Sequence, residues 1–300
     1  MRHHALRADA ILLLVACIWG SGFVAQRAAM EHMGPLAYTA LRYMIGVAML
    51  LPLVVGPRWR TRINRHTIPA GILLGLIMAV AANAQQIGMV TTTASRAGFI
   101  TGLYVLGVPF LGLGLGHRFS AGHLVGAVLA AVGLFFLSGD VSGGLRTGDL
   151  WVGLCAFCWA FHVVIVAIAA PKADAIGLAI VQFAVVVVAT TIATLMREQP
   201  RVSEMAAAFI PIVYGGVFSI GIAFTLQIVA QKHAPPTHAA VLMSLEAVFA
   251  AIFGVLILRE SLSRPELIGC GLMFAGMLTC QLWPHKRTPA EKAELTDPVR

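Results

Sequence analysis

Stretches of about 20 residues almost free of charge alternate with short polar spacers along the whole chain. Ten of them occupy residues 8–28, 35–56, 67–90, 94–115, 121–139, 148–169, 175–196, 208–230, 235–258 and 264–283. Each is long enough to cross a hydrocarbon core of about 30 Å as an α-helix. Lipid cannot hydrogen-bond a bare backbone, so a chain in the bilayer is either helical or a closed barrel. Barrel strands are alternating segments of about ten residues, and the longer unbroken runs here select helices. Spacers are mostly under ten residues and carry turn or helix-start signals at Gly34-Pro35, Gly143-Gly144 and Pro235-Pro236, so no soluble domain fits between spans. The pattern predicts an all-α membrane protein of ten transmembrane helices.

Composition agrees with that solvent. The 300 residues are 59% hydrophobic and 11% charged, with a mean hydropathy of +0.86; soluble domains average roughly 25% charged. The net charge of +8 does not mark a nucleic-acid partner, because the cations sit in separate spacers rather than in one stripe. They report topology instead. With the N-terminus inside, thirteen Lys and Arg (Arg2, Arg7, Arg58, Arg60, Arg62, Arg65, Arg118, Lys172, Lys232, Lys286, Arg287, Lys292 and Arg300) lie inside and seven (Arg27, Arg96, Arg146, Arg197, Arg201, Arg259 and Arg264) lie outside. The bias predicts both termini in the cytoplasm, and the expected location is the cell's inner membrane, crossed many times. The cysteines (Cys17, Cys155, Cys158, Cys270 and Cys280) all fall inside apolar runs, and Cys155 and Cys158 read as small packing residues one turn apart rather than a metal or redox pair. No cofactor or metal is expected.

The chain also repeats itself. A shift of 140 residues sets Asp9 on Asp149, Ala16 on Ala156, Trp19 on Trp159 and Val24 on Val164, and brings Arg42-Tyr43 onto Gln182-Phe183. A shift of 142 sets Ile68-Pro69 on Ile210-Pro211, Gln85 on Gln227, Ser95 on Thr237, Ala97 on Ala239 and Leu103 on Leu245. At 143, Gly126 and Gly133 fall on Gly269 and Gly276. Such slow drift is that of a duplicated unit with small insertions. The units are residues 1–145 and 146–285, five spans each, followed by a polar cytoplasmic tail at 286–300. An odd number of crossings makes the second copy enter from the opposite side, so the repeats are inverted around a central cavity. Inverted repeats recur in transporters, where two equivalent halves rock about a midplane site. The first span has an internal counterpart and therefore reads as part of the mature fold rather than as a signal peptide.

Four features carry a resemblance: Ile18-Trp19-Gly20-Ser21 in the first span, Trp159-Ala160 in the sixth, Arg259-Glu260 after the ninth and the Gly269 to Gly276 spacing in the tenth. With these the chain, over residues 8–283, resembles the drug/metabolite transporter superfamily, EamA type, and within it the YddG-type exporters of aromatic and other neutral amino acids. His117-Arg118 stands where the second half has Arg259-Glu260, so the first copy departs from that motif. The resemblance implies ten helices around a cavity lined mainly by spans 1, 3, 4, 6, 8 and 9.

Polar groups at mid-span depth need a partner or a pathway, because an ionised one costs about 2.5 to 3.5 kcal/mol there. Glu246 is the acidic residue well inside a span, about eleven residues into the ninth; it suits a substrate ammonium or proton exchange, the alternative being a structural glutamate. Its repeat mate is Tyr104, and Ser244 adds a hydroxyl two residues before it. His162, one turn beyond Trp159, could hydrogen-bond a solute or simply be a satisfied packing histidine. Asn83, Gln85 and Gln86 in the third span and Gln227 in the eighth offer neutral amides suited to a zwitterion, or to gluing helices together. Trp19 and Trp159 lie too deep for the interfacial belt and, with Tyr104, could wall an apolar side chain. Arg42, within the second span, reads as a snorkelling or bridging residue. Glycines four apart, such as Gly71 and Gly75 or Gly122 and Gly126, read as close helix packing, and Pro109 as a kink in the fourth span.

The expected activity is secondary transport, exporting small amphipathic metabolites, with aromatic or other neutral amino acids as the leading class; the substrate and the bilayer are its partners, and a monomer carries the complete pathway. Another solute class, such as a drug cation or a purine or sugar derivative, is the alternative. A lipid-modifying membrane enzyme is the more distant one, and the chain holds no Walker loop, H-E-x-x-H, clustered carboxylate pair or G-x-S-x-G to serve it.

Overall fold

A computed structural model describes residues 2–54, 62–113, 121–137, 147–259 and 263–283, and regular structure there is helical throughout. Arg58, Arg60, His117-Arg118, Gly143-Gly144, Arg146, Glu260 and the 286–300 tail lie outside the described residues. The helices are α1 (Arg2–Ala29), α2 (Pro35–Val54), α3 (Thr67–Met89), α4 (Ala94–Gly102), α5 (Tyr104–Leu113), α6 (Ala121–Leu137) and α7 (Thr147–Ala169). A 3-10 turn (Ala170–Lys172) leads to α8 (Ala175–Arg197), α9 (Val202–Ala207) and α10 (Phe209–Tyr214). A π-helical segment (Gly215–Phe224) then joins α10 to α11 (Thr225–Gln231), before α12 (Pro236–Met243), α13 (Glu246–Leu258) and α14 (Arg264–Leu282).

Among the described residues, eight helical stretches are long and apolar enough to cross a membrane. The predicted fifth and tenth spans carry shorter apolar cores, Leu124–Gly133 and Leu267–Gly276. Arg264 and Glu266 occupy the first turn of α14, and residues 138 and 139 lie beyond the described part of α6.

Helix ends are fixed by local chemistry. Thr93 Oγ1 accepts from Arg96 N at the start of α4, and Asp174 Oδ1 accepts from Gly177 N at 2.9 Å at the start of α8. The open N-terminus of α2 is satisfied from afar: Leu36 N and Ala37 N both donate to the Glu198 carboxylate at 2.9 Å, with the helix dipole favouring that charge. Arg259 adopts the left-handed conformation, φ 56°, and ends α13.

The continuous helices expected over 94–115 and 235–258 are each broken at mid-span. Leu103 (ψ −13°) separates α4 from α5, and Ser244 and Leu245 (ψ −16° and −10°) separate α12 from α13. Both breaks tighten to three-residue hydrogen bonds, Leu103 N to Ile100 O at 3.2 Å and Leu245 N to Leu242 O at 3.3 Å, which are repeat equivalents. Short 3-10 passages inside helices commonly mark hinges. Pro109 lies inside α5, and the break in this span falls six residues earlier, at Leu103.

Helix packing pairs each half with the other. α1 lies along α13, the π segment and α11, while α7 lies along α3, α4 and α5; α2 packs on α8, and α6 on α14. The last contact is reciprocal at glycine: a Cβ at Gly133 would stand 2.6 Å from Gly269 O, and one at Gly276 would stand 2.6 Å from Gly126 O. Only hydrogen side chains allow such approach, so these positions hold the two helices backbone to backbone. Leu12, Leu74, Met78, Leu178, Phe183 and Ile220 fill the buried centre.

Candidate functional site

The breaks and the long helices leave a cavity between α1, α2, α3, α7 and the π segment, with about 530 Å³ of empty space, part of it open to solvent. Six of the ten residues singled out from sequence line it: Trp19, Gln85, Tyr104, Trp159, Gln227 and Glu246. Tyr104 and Glu246 are the first residues after the two breaks, so the hinges present them to the space.

The tryptophans are joined by a residue that sequence reasoning missed. Phe224 stands between them, its ring centroid 4.7 Å from that of Trp19 and 5.4 Å from that of Trp159, where the rings stack at 27°. Phe183 meets Phe224 edge-on at 6.1 Å behind this wall, and Tyr43 meets Phe183 at 5.9 Å. Aromatic faces arranged this way receive flat apolar groups.

The two indoles are anchored by different chemistry. Trp159 Nε1 donates to Gln85 Oε1 at 3.2 Å, an oxygen that also accepts from Cys155 Sγ at 3.3 Å. Gln85 Nε2 in turn donates to Gln26 Oε1 at 3.0 Å. Trp19 Nε1 instead donates to a backbone oxygen, Ser219 O, at 3.1 Å within the π segment. Gln227, the mate of Gln85, turns away to donate to Gln231 Oε1 at 2.8 Å, and Gln231 donates to Val163 O at 2.9 Å.

One cation and one carboxyl face the same space. Arg42 is 4% exposed and Glu246 is 4% exposed, both on the cavity wall. The Arg42 guanidinium lies 5.2 Å from the Tyr38 ring centroid and 5.5 Å from that of Tyr43. Ion pairs among the described residues are Arg62–Asp174, Arg96–Asp149 and His238–Asp9, and neither Arg42 nor Glu246 belongs to any of them. Arg42 Nε, Glu246 Oε1, Tyr104 OH, Ser219 Oγ, Thr101 Oγ1 and Gln227 Oε1 are buried with no hydrogen-bond partner among the described residues, and all belong to wall residues. Asn83 Oδ1, Gln86 Oε1, His162 Nδ1, Gln182 Nε2 and Thr191 Oγ1, off the wall, are likewise without a partner there, and buried polar groups are normally satisfied by protein or water.

The remaining four candidates lie off the wall. Asn83 Nδ2 donates to Thr190 Oγ1 and Ala79 O, both at 2.8 Å, and so ties α3 to α8. Gln86 Nε2 approaches Gln26 O at 3.4 Å, and Ser244 Oγ donates to Val241 O at 2.8 Å. His162 Nε2 is 3.1 Å from Gln182 Oε1, and its ring sits edge-on to Trp159 at 5.2 Å, behind the wall. Arg42 had a sequence signal as the Lys or Arg that lies deepest within a span. Gln26 had a weaker one, as an amide near the end of the first span. The π segment had none, because its residues read as an ordinary apolar helix.

The profile of the EamA-like transporter family matches residues 6–139 and, a second time, residues 146–280. A protein of Archaeoglobus fulgidus described as an uncharacterized transporter is 29% identical over 279 residues, covering 92% of this chain and 86% of that one. Uncharacterized transporter YoaV of Bacillus subtilis is 20% identical over 273 residues, covering 89% and 94%. A chain of known crystal structure superposes with a TM-score of 0.71 at 21% identity, covering 92% of this chain and 96% of that one, which speaks to the fold alone.

Proposed function

The chain belongs to the EamA-like transporter family, and from that membership we propose that it is a secondary carrier exporting aromatic and other neutral amino acids by alternating access at the central cavity. The observation that carries this reading is the joint placement of Arg42 and Glu246 on one aromatic-walled cavity, each outside the ion pairs found among the described residues. An isolated ionised group at this depth costs about 2.5 to 3.5 kcal/mol, and a zwitterion brings a partner for both. Glu246 takes the ammonium and Arg42 the carboxylate, while Trp19, Phe224 and Trp159 receive the side chain. Amides and hydroxyls at Gln227, Thr101 and Ser219 complete its hydrogen bonds.

The two matched segments act as inverted five-helix units, 1–145 and 146–285, with α6 and α14 as their fifth helices. The equivalent breaks at Leu103 and Leu245 and the reciprocal glycine contact of α6 with α14 support this. The carrier sits in the cell's inner membrane as a monomer with both termini cytoplasmic, following the cation bias. Reporter fusions at residue 300 and within 140–147 give opposite signals, and an external C-terminus overturns that orientation.

A second reading, an organic cation as substrate, draws on Glu246 beside the Trp19 and Phe224 faces, since aromatic rings and a carboxylate together favour cations. Counterflow of labelled L-phenylalanine in proteoliposomes separates the two. Saturable exchange competed by neutral amino acids supports the zwitterion. Exchange of tetraphenylphosphonium that amino acids leave untouched replaces it with the cation.

A further inference from the structure

Two ion pairs stand at opposite ends of the cavity, in equivalent positions of the two halves. At one end Arg96 of α4 grips Asp149 of α7, with Nε donating to Oδ1 at 3.0 Å and Nη2 to Oδ2 at 2.8 Å, while Thr92 Oγ1 donates to Oδ1 at 3.2 Å. At the other end His238 of α12 meets Asp9 of α1, Nε2 to Oδ1, at 2.7 Å. The shift that carries Trp19 onto Trp159 carries Asp9 onto Asp149, and the shift that carries Gln85 onto Gln227 carries Arg96 onto His238. Each pair therefore fastens the start of one half's broken helix to the start of the other half's first helix.

That the pairs face opposite ends follows from the helices themselves. Asp9 lies seventeen residues before Gln26 on α1, about 25 Å along the axis. Gln26 is bonded by Gln85 and Gln86 near the C-terminal end of α3, and Thr92 follows that end. The Arg96–Asp149 pair thus lies past the far end of α1 from Asp9. α7 tells the same story in reverse: Asp149 is in its first turn, whereas Val163, fourteen residues on, accepts from Gln231 just before α12.

Both latches sit on short levers. Arg96 is carried by α4 and His238 by α12, and each of these half-helices ends at a 3-10 break beside the cavity residue Tyr104 or Glu246. A half-helix pivoting at its break moves its latch together with its own wall residue, Thr101 on α4 or Met243 on α12.

We propose that Arg96–Asp149 and Asp9–His238 are the two gates of the transport step, released in turn so that the cavity opens to one face at a time. The pairs are unequal. Asp149 is 3% exposed and held by two guanidinium nitrogens and a hydroxyl, whereas Asp9 and His238 share one contact with side chains 21% and 16% exposed. The Asp9 end is accordingly the one that opens more readily in the solute-free protein. The proposal rests on transport but not on the solute being an amino acid, and it does not depend on which end faces the cytoplasm.

The test reads accessibility and needs no substrate. Ser219→Cys, on the cavity wall and on neither lever, is introduced with the five native cysteines replaced by alanine, and the new thiol is labelled with a membrane-impermeant maleimide in sealed vesicles of each orientation. Asp149→Asn should raise labelling about tenfold or more from the Arg96 face alone. Asp9→Asn should raise it about threefold from the opposite face alone. The charge-swapped Arg96→Asp/Asp149→Arg protein should return to the parent pattern, which separates gating from general damage. Labelling that neither single change alters, that both alter from the same face, or that the swap fails to restore overturns the proposal.

Discussion

The two halves share a scaffold and differ in the chemistry they bring to its centre. The breaks, the glycine contact and the end latches occur in both. At the cavity, however, Arg42 of the first half has Gln182 as its mate, Tyr104 has Glu246, and the uninterrupted α3 has a counterpart that contains the π segment. Gating requires the halves to be interchangeable, whereas a solute with unlike ends requires them to differ. Equivalence is therefore kept where helices meet and abandoned where a ligand would be held.

The largest expected effect comes from removing that asymmetry. Arg42→Gln or Glu246→Gln should lower amino-acid counterflow at subsaturating concentration by about 100-fold, in line with losing one partner of a buried charge pair. Adding Gln182→Arg to the Arg42→Gln protein should restore none of it, because Gln182 is held by His162 away from the wall. Recovery of flux would show that the halves are interchangeable at the site after all.

The latches should differ in stability too. Arg96→Ala strands the buried Asp149 and should cost about 3 kcal/mol, against about 1 kcal/mol for His238→Ala at the more exposed pair. Thermal unfolding in detergent should therefore show the larger drop in Tm for Arg96→Ala, and equal drops would contradict the unequal burial.

At the indoles the contrast is finer. Trp19→Phe removes the indole donor from the Ser219 carbonyl of the π segment, while Trp159→Phe leaves Gln85 Oε1 still bonded to Cys155. Loss of one such bond is worth about 1 kcal/mol, so Trp19→Phe should weaken apparent L-phenylalanine affinity about fivefold and Trp159→Phe less. The smallest effect is at Asn83, where Asn83→Ala should lower Tm slightly and leave affinity unchanged, since its bonds run to Thr190 and Ala79.

Much of the scaffold was legible because a bilayer imposes its thickness on the sequence: runs near 20 residues locate helices, and an offset of 140 to 143 locates the duplication. The deep tryptophans and Glu246 were legible for a related reason, since bulky or ionisable groups at that depth need a purpose. Side-chain direction was not. Asn83 and Gln85 are two residues apart and so face different sides of α3, one bonding α8 and the other the cavity indole. The breaks at Leu103 and Ser244-Leu245 escaped notice because leucine and serine carry no breaker signal, and the π segment because its backbone pairing leaves no compositional trace. Arg42 was read as snorkelling or bridging between helices, and its guanidinium lies by the Tyr38 and Tyr43 rings on the cavity wall, a placement that spacing alone does not give.

The central claim is that the unlike halves grip the two ends of one zwitterion, and competition against L-phenylalanine counterflow in proteoliposomes tests it most directly. Phenethylamine lacks the carboxylate that Arg42 would bind, and 3-phenylpropionate lacks the ammonium that Glu246 would bind. Each should compete at least about 30-fold more weakly than unlabelled L-phenylalanine. Phenethylamine should also lose no further potency in the Arg42→Gln protein, nor 3-phenylpropionate in the Glu246→Gln protein. If either analogue competes as well as the amino acid itself, the corresponding charge is not a ligand for the solute and the account is contradicted.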